Sequence, residues 1–295
     1  MSITASMVKA LRERSGAGMM ECKRALTETQ GDEDAALVLL RTKGEAQAEK
    51  KAGRIAAEGV IGSYTREDGK LAALVELNCE TDFVAKEPVF KDFASALAQL
   101  TADQNPTQLD DLLAMSLAGE SQNVEATRSA LINKIGENIN IRRFVRFATE
   151  ADAQVSTYLH GARIGVLVES SGGAAGLGRD IAMHIAASRP LCVSADQVSQ
   201  EALEKEKAIF TAQAEESGKP PEIIEKMVSG KLRKYVNEVC LEGQSYVKDP
   251  EISIGKLLAG ENAKVSQFVR FEVGEGIEKK VEDFAAEVMA QAKGG

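Results

Sequence analysis

The sequence predicts an α+β protein that combines a helical start, two related antiparallel sheets and an inserted helical hairpin. Short helical segments fill the first 54 residues. Strand patterns then occur twice, and the second set contains about 31 additional residues with helical spacing. Helices segregated from hairpin-forming strands are typical of the α+β class.

Residues 1–54 predict three short helices. Thr4 or Ser6 caps the first helix, which Gly16 ends. The second runs from about Met19 to Thr29 and stops at Gly31, and Asp32 caps the third, which ends before Gly44. Segment 44–59 contains Lys50, Lys51 and Arg54 and predicts a basic helical linker. A bundle this small has a thin core, which leaves Met19 and Met20 close to the surface.

A duplication follows. Leu74-Val75-Glu76 recurs 93 residues later as Leu167-Val168-Glu169. Gly136-Glu137-Asn138, followed by Phe144-Val145-Arg146-Phe147, recurs 124 residues later. Alternating apolar residues in these strands predict half-buried antiparallel sheets. Each copy is expected to contain a hairpin, a helix and a returning strand, with turns at 67–69 and near 160–161 and helices at 88–100 and 178–188.

These copies define core subdomains over residues 55–148 and 149–273. The second contains the insertion, 197–240, whose two helical stretches are separated by Lys219-Pro220-Pro221 and predict an antiparallel helical hairpin. Such a hairpin is either structural or a partner contact. Residues 101–126 predict a polar helical connector, and 274–295 a C-terminal helical module with a helix from about Ile277 to Lys293.

Composition indicates a soluble, cytoplasmic protein. The 295 residues carry 36 Lys and Arg against 45 Asp and Glu, a net charge of −9. This acidity disfavours direct nucleic-acid binding, although residues 1–54 carry +2 and would suit an acidic partner. Four separated cysteines and two histidines have no metal-ligand spacing, so we expect reduced thiols, no metal and no cofactor. No apolar run is long enough to suggest membrane association.

The most informative segment is Glu76-Leu77-Asn78-Cys79-Glu80-Thr81-Asp82-Phe83-Val84-Ala85-Lys86. An apolar strand ends there in a loop with one acid and one large aromatic, and Pro88 begins the next helix. Phe83 has two interpretations: a hydrophobic staple that packs inward, or a wedge for another protein. Asp82 either bonds its own backbone or contacts a partner.

Other segments suggest little chemistry. The glycine-rich loop at 170–178 lacks the spacing of a phosphate-binding loop and favours a flexible connector. His184 borders an apolar helix face, which predicts a core residue with its hydrogen bonds satisfied. We find no catalytic triad or pocket of convergent polar groups and expect a protein that is not an enzyme.

Two segments resemble the signatures of the bacterial elongation factor Ts family. One is the loop segment above, and the other is residues 11–26, Leu-Arg-Glu-Arg-Ser-Gly-Ala-Gly-Met-Met-Glu-Cys-Lys-Arg-Ala-Leu. The resemblance implies a ubiquitin-associated-like N-terminal module, two core subdomains, a coiled-coil hairpin and a C-terminal module. It also implies guanine-nucleotide exchange in translation elongation, acting on elongation factor Tu in its GDP-bound or nucleotide-free form.

The resemblance further assigns site residues. Thr81, Asp82, Phe83 and Val84 would displace magnesium in the partner, with Phe83 as the wedge. Other partner contacts would be Arg12, Met19, Met20, Lys23, Ile135, Gly136 and His160. Two rival functions stay open: a non-catalytic partner-binding or chaperone-like module, and an RNA-associated factor suggested by local basic clusters.

Overall fold

The fold is of the predicted α+β class. The computed structural model describes residues 3–150 and 152–278, in which antiparallel sheets are accompanied by helices. Across these ranges, no helix has the length and apolar character that crossing a bilayer requires. The C-terminal helix predicted from about Ile277 to Lys293 falls outside the described residues, apart from its first two positions.

Three helices begin the chain: α1 (Ala5–Ser15), α2 (Met19–Glu28) and α3 (Glu33–Lys51). The side chains of Thr4 and Asp32 accept backbone hydrogen bonds and cap α1 and α3. Gly16 ends α1 with φ 68°, a conformation that favours glycine. The helices enclose a small apolar core formed by Val8, Leu11, Cys22, Ala25, Leu26 and Ala36.

The expectation that the third helix ends before Gly44 is wrong. Helix α3 continues through this residue to Lys51, so the predicted basic linker forms its last turns. A Cβ atom on Gly44 would lie 2.5 Å from Nδ2 of Asn133, in helix α7 (Val124–Ile135). The glycine thus permits a close approach between α3 and α7 and does not end a helix.

The first repeat contains a sheet in the order β1 (Glu58–Thr65), β2 (Leu71–Cys79), β3 (Asn140–Ala148). Between β2 and β3 lie α4 (Asp82–Lys86), α5 (Pro88–Gln104), α6 (Leu109–Ala114) and α7. Pro88 stands in the first turn of α5, as predicted. The 101–126 connector is not simply polar, because Leu112 and Val124 are fully buried in the core.

The second repeat reproduces the first in strand order and register. Its sheet has the order β4 (Ala153–His160), β5 (Ile164–Ser171), β8 (Lys264–Glu272). Leu71 pairs with Ala148 in the first copy, and Ile164 pairs with Glu272 in the second. The pairing is irregular after Glu76 and after Glu169, again 93 residues apart. The duplication therefore extends to individual residue pairs.

Both faces of each sheet are covered at its central strand, β2 or β5, whereas the late strands β3 and β8, for which half-burial is predicted, are only partly buried. In the first repeat, α5 covers one face through Phe90, Phe93 and Leu97. The other face packs against the second sheet in a shared apolar cluster formed by Ile61, Ala72, Leu74, Phe147, Val155, Leu167, Phe271 and Val273. At the irregularity in β3, the backbone of Arg142 has no pairing partner on β2. Ile141 therefore faces α5, whereas Phe147 faces the second sheet.

The second repeat also carries α8 (Leu177–Ser188) and the insertion. Helices α9 (Gln200–Glu215) and α10 (Pro221–Val239) pack side by side on either side of the predicted Pro-containing turn. The chain then forms β6 (Ser245–Tyr246), β7 (Asp249–Ser253) and α11 (Ile254–Gly260) before β8. In α9 and α10 only Ala214 and Val228 are buried, so much of the hairpin surface is open.

A buried carboxylate connects the repeats. Glu76 is fully buried and accepts hydrogen bonds from Arg143 Nε (2.6 Å), Arg142 Nη1 (3.1 Å) and the Gly274 amide (2.8 Å). Burial by itself would raise the pKa of Glu76, but these bonds outweigh it and hold the pKa below its ordinary 4.5. The ionised group therefore joins β2 and β3 to the segment that follows β8.

Candidate functional site

The aromatic ring of the signature loop points away from the protein. Phe83 lies in the short helix α4 and is 76% exposed, the largest exposure among the large apolar side chains described. Its neighbours Val84 and Ala85 are buried and anchor the helix in the first repeat's core. The hydrophobic-staple interpretation is therefore wrong, because the inward contact is made by Val84 and leaves Phe83 free.

The loop that carries Phe83 is held by hydrogen bonds to the side chains of Thr81 and Glu137. Thr81 caps α4, its hydroxyl accepting a hydrogen bond from the Val84 amide at 3.4 Å. The Glu137 carboxylate accepts bonds from the amides of Glu80 and Thr81, each 3.0 Å, and from the Thr81 hydroxyl at 2.6 Å. Thr81 and Val84 thus support the loop, while Phe83 and Asp82 form its exposed surface.

Asp82 forms a local ion pair. Its carboxylate accepts a hydrogen bond from Lys86 Nζ at 2.6 Å, and the same ammonium group lies 5.7 Å from the centre of the Phe83 ring. This hydrogen bond holds the pKa of Asp82 below its ordinary 3.8. At neutral pH the loop therefore presents an ionised carboxylate beside an apolar ring, and the Lys86 pairing is solvent-exposed and weak enough to exchange.

A reciprocal pair of glutamates joins this loop to the segment before β3. Glu137 reaches the Glu80 and Thr81 amides, and the Glu80 carboxylate accepts from the Asn138 amide at 2.6 Å. Ile135 and Gly136, two predicted contacts, directly precede this junction. Ile135 is half-buried against the core, and Gly136 is exposed and ends α7 with φ 92°. Glu137 is not among the predicted site residues, although its place in the repeated Gly-Glu-Asn motif is a signal that points to it.

The second repeat provides an internal comparison. Glu261, the counterpart of Glu137, accepts a hydrogen bond from the Ala174 amide at 3.2 Å, and Ala174 lies 93 residues after Thr81. By the same offset, Gly176 in the second repeat corresponds to Phe83 in the first. Gly176 immediately precedes α8 with φ 92°. The strand-to-helix connection therefore forms in the second copy without any aromatic side chain, and the fold does not need one at Phe83.

The N-terminal helices present the other predicted contacts. Met19 and Met20 begin α2 and are 58% and 65% exposed. Arg12 on α1 and Lys23 on α2 are exposed as well. Two adjacent exposed methionines form an adaptable apolar surface on a helical module that also exposes basic side chains.

The two histidines differ. His160 is exposed at the end of β4, where Nδ1 lies 3.2 Å from the hydroxyl of Tyr158. His184 is fully buried, and its Nε2 lies 2.9 Å from Gln244 Oε1 while the Val247 amide donates to Nδ1. The prediction of a satisfied core histidine is confirmed.

In the ranges the structure covers, no group of three or more His, Cys, Asp or Glu side chains is placed to hold a metal ion.

Comparison with known proteins gives consistent matches. A family model described as Elongation factor TS matches residues 80–275, which include the α4 loop and both Gly-Glu-Asn motifs. Elongation factor Ts of Thioalkalivibrio sulfidiphilus is 59% identical over 294 residues, covering 100% of both chains. The proteins of that name from Alkalilimnicola ehrlichii and Methylococcus capsulatus are 57% and 56% identical, covering 100% and 99% of each chain.

Proposed function

The chain belongs to the elongation factor Ts family, and we propose that it is the guanine-nucleotide exchange factor for elongation factor Tu. It binds the GTPase with GDP in place, disturbs the magnesium and phosphate site, and releases GDP so that GTP can load. It makes and breaks no covalent bond in doing so. Membership of the family supports exchange in general terms, and the loop geometry supports the mechanism.

One observation carries the mechanism: a 76% exposed phenylalanine stands on a tethered helical turn that the fold does not require to be aromatic. An exposed ring of this kind loses contact with water when it enters an apolar cleft of a partner. Because α4 is capped by Thr81 and anchored by Val84, the segment that carries the ring is already ordered. Little conformational entropy is therefore lost when the ring binds. Phe83 therefore acts as the wedge.

Asp82 acts beside the wedge. A magnesium ion that bridges two phosphates carries much of the local charge balance in a nucleotide site. The Asp82 carboxylate competes for hydrogen-bond donors and cations near that ion once Phe83 has opened the cleft. Its ion pair with Lys86 is exposed, so releasing it costs little.

The remaining free energy comes from the wider docking surface. A thousandfold acceleration of release requires about 4 kcal/mol of differential interaction, since a factor of ten corresponds to about 1.4 kcal/mol. Burial of one phenylalanine contributes about 1.5–3 kcal/mol, which falls short. Further contacts to the partner come from Arg12, Met19, Met20, Lys23, Ile135, Gly136 and His160. By linkage, bound GDP must weaken the factor's binding by the ratio in which the factor weakens GDP binding.

The direct test is the rate of GDP release from elongation factor Tu with and without this protein. A fluorescent GDP is preloaded, excess unlabelled GDP is added, and release is followed by stopped flow at several concentrations of the factor. We expect a concentration-dependent acceleration of a hundredfold or more. Binding without acceleration would instead identify a non-catalytic partner-binding or chaperone-like module, and salt-sensitive RNA retention would favour the RNA-associated alternative.

A further inference from the structure

Two cysteines that are distant in sequence meet at the base of the helical hairpin. The sulfur atoms of Cys192 and Cys240 lie 3.3 Å apart, and both thiols are free. Cys192 precedes α9 by eight residues, and Cys240 immediately follows α10. The pair therefore stands where the chain enters and leaves the hairpin.

The backbone holds these two residues face to face. Cys192 and Cys240 are partners in a parallel β-bridge, with the Leu241 amide donating to the Cys192 carbonyl at 2.9 Å. The Leu191 amide donates to the Val239 carbonyl at 2.8 Å on the other side. Bridge partners lie within the Cα separation that a disulfide spans. The sulfurs can thus bond after a movement of about 1.3 Å, without rearrangement of the chain.

The two thiols differ in access. Cys240 is buried, and burial together with the neighbouring Cys192 thiol raises its pKa to about 12, so it is protonated at neutral pH. Cys192 is only partly buried and follows Leu191, which is 73% exposed. A small oxidant arriving from solvent meets Cys192 first.

We propose that Cys192 and Cys240 form a peroxide-responsive dithiol that clamps the base of the hairpin when oxidised. The Cys192 sulfur attacks a hydroperoxide oxygen and breaks the O–O bond, which leaves a sulfenic acid, and the thiol proton passes to the other oxygen, which departs as an alcohol or water. The Cys240 sulfur then attacks the Cys192 sulfur while the Cys240 thiol proton passes to the sulfenic hydroxyl, which leaves as water. Overall, two thiols and one hydroperoxide give one disulfide, one water and one alcohol or second water.

The consequence for the hairpin is mechanical. In the reduced protein the ends of the insertion are joined by non-covalent contacts, which include the bridge hydrogen bonds and the bond from the Glu242 amide to the Val193 carbonyl at 3.0 Å. A disulfide joins the C-terminal end of α10 covalently to the segment before α9, so that the bridge can no longer open. Cys22 and Cys79 are buried, and Cys79 donates its thiol hydrogen to the Thr81 carbonyl, so neither offers a second dithiol.

The test treats the full-length protein with hydrogen peroxide and counts free thiols after denaturation. We expect the count to fall from four to two and a non-reducing tryptic digest to join peptides 180–205 and 235–248. Reduction with a dithiol should restore all four. In Cys240→Ser no cross-link forms, and Cys192 should be trapped as sulfenic acid by a 1,3-dione reagent.

A second measurement tests the clamp itself. Hydrogen exchange of the amides in 239–244 should slow at least tenfold in the oxidised protein and stay unchanged in peroxide-treated Cys240→Ser. Four thiols retained after peroxide, a disulfide between two molecules, or overoxidation of Cys192 with Cys240 still reduced would each overturn the assignment. A 192–240 disulfide with unchanged amide exchange would overturn the clamp.

Discussion

Replacing Phe83 by alanine should slow stimulated GDP release while leaving the fold intact. The side chain is 76% exposed, so its removal opens little cavity and should change stability by no more than about 0.5 kcal/mol. Full burial of a phenylalanine is worth about 1.5–3 kcal/mol, of which the exposed share is available to a partner, about 1–2 kcal/mol. At 1.4 kcal/mol per factor of ten, this corresponds to roughly 5- to 30-fold slower release.

The assay is stopped-flow release of fluorescent GDP from elongation factor Tu, measured beside the affinity for nucleotide-free partner. The affinity should fall less than the release rate, because the nucleotide-free partner holds no magnesium for the ring to displace. Leu191→Ala is the matched control, since Leu191 is 73% exposed and lies at the base of the hairpin. It removes a similar apolar surface and should leave release unchanged.

The result that would refute the reasoning is equally specific. The ring is not a wedge if, at saturating concentrations of each protein, the rate of GDP release with Phe83→Ala is within twofold of the rate with the unaltered protein. The exposed turn would then be a docking surface, and the energy for release would have to come from the other contacts. Equal losses in Phe83→Ala and Leu191→Ala would point to general apolar association.

Two predictions concern buried titratable groups. Glu76→Gln should lower the free energy of unfolding by about 2–4 kcal/mol at pH 7, because it removes the charge that Arg142 and Arg143 surround. Since the folded pKa of Glu76 lies below the ordinary 4.5, its contribution is present above that pH and is lost as pH falls further, so urea midpoints of variant and parent should converge in acid. Burial lowers the pKa of His184 below 6.5, so the unfolded chain takes up a proton first as pH falls through 6.5 and stability declines there. His184→Gln should remove this part of the decline between pH 7.5 and 5.5.

The sequence predicted the repeated sheets well because strand signals are local. Alternating apolar residues and two constant offsets of 93 and 124 residues point to paired strands, and the pairs observed follow those offsets. The same pattern did not reveal burial on both faces. One unpaired residue, Arg142, shifts the strand between its faces, and a period-two pattern contains no sign of where such a shift occurs.

Features that depend on contacts between distant segments were not predictable. A glycine such as Gly44 is typical of a helix end. In the structure this glycine instead allows α3 to lie close to Asn133 in α7. Cys192 and Cys240 are 48 residues apart without any spacing signal, and only the bridge brings them together. Phe83 was open to two interpretations because an aromatic before a helix has the same local pattern whether it packs inward or outward. The burial of Val84 decides between them.

Because the loop and its glutamate occur in both repeats, the contribution of Glu137 to nucleotide exchange can be separated from its contribution to folding. Glu137 accepts three hydrogen bonds from Glu80 and Thr81, whereas Glu261 holds the corresponding loop of the second copy. Glu137→Ala should weaken the tether by about 1–3 kcal/mol, with faster hydrogen exchange over residues 80–86 and roughly three- to tenfold slower GDP release. Glu261→Ala should loosen its own loop and leave release unchanged, because no aromatic ring depends on it.

A double-mutant cycle then shows whether Glu137 acts through Phe83. A carboxylate that only positions the ring has nothing left to position once the ring is gone, so Glu137→Ala should slow release little further in a Phe83→Ala background. Independent, multiplicative losses would mean that the 80–86 turn contacts the partner through its backbone or Asp82 as well. Equal slowing of release by Glu261→Ala and Glu137→Ala would contradict the proposal that only the loop of the first repeat acts in exchange, because both changes would then act through the stability of the shared sheet core.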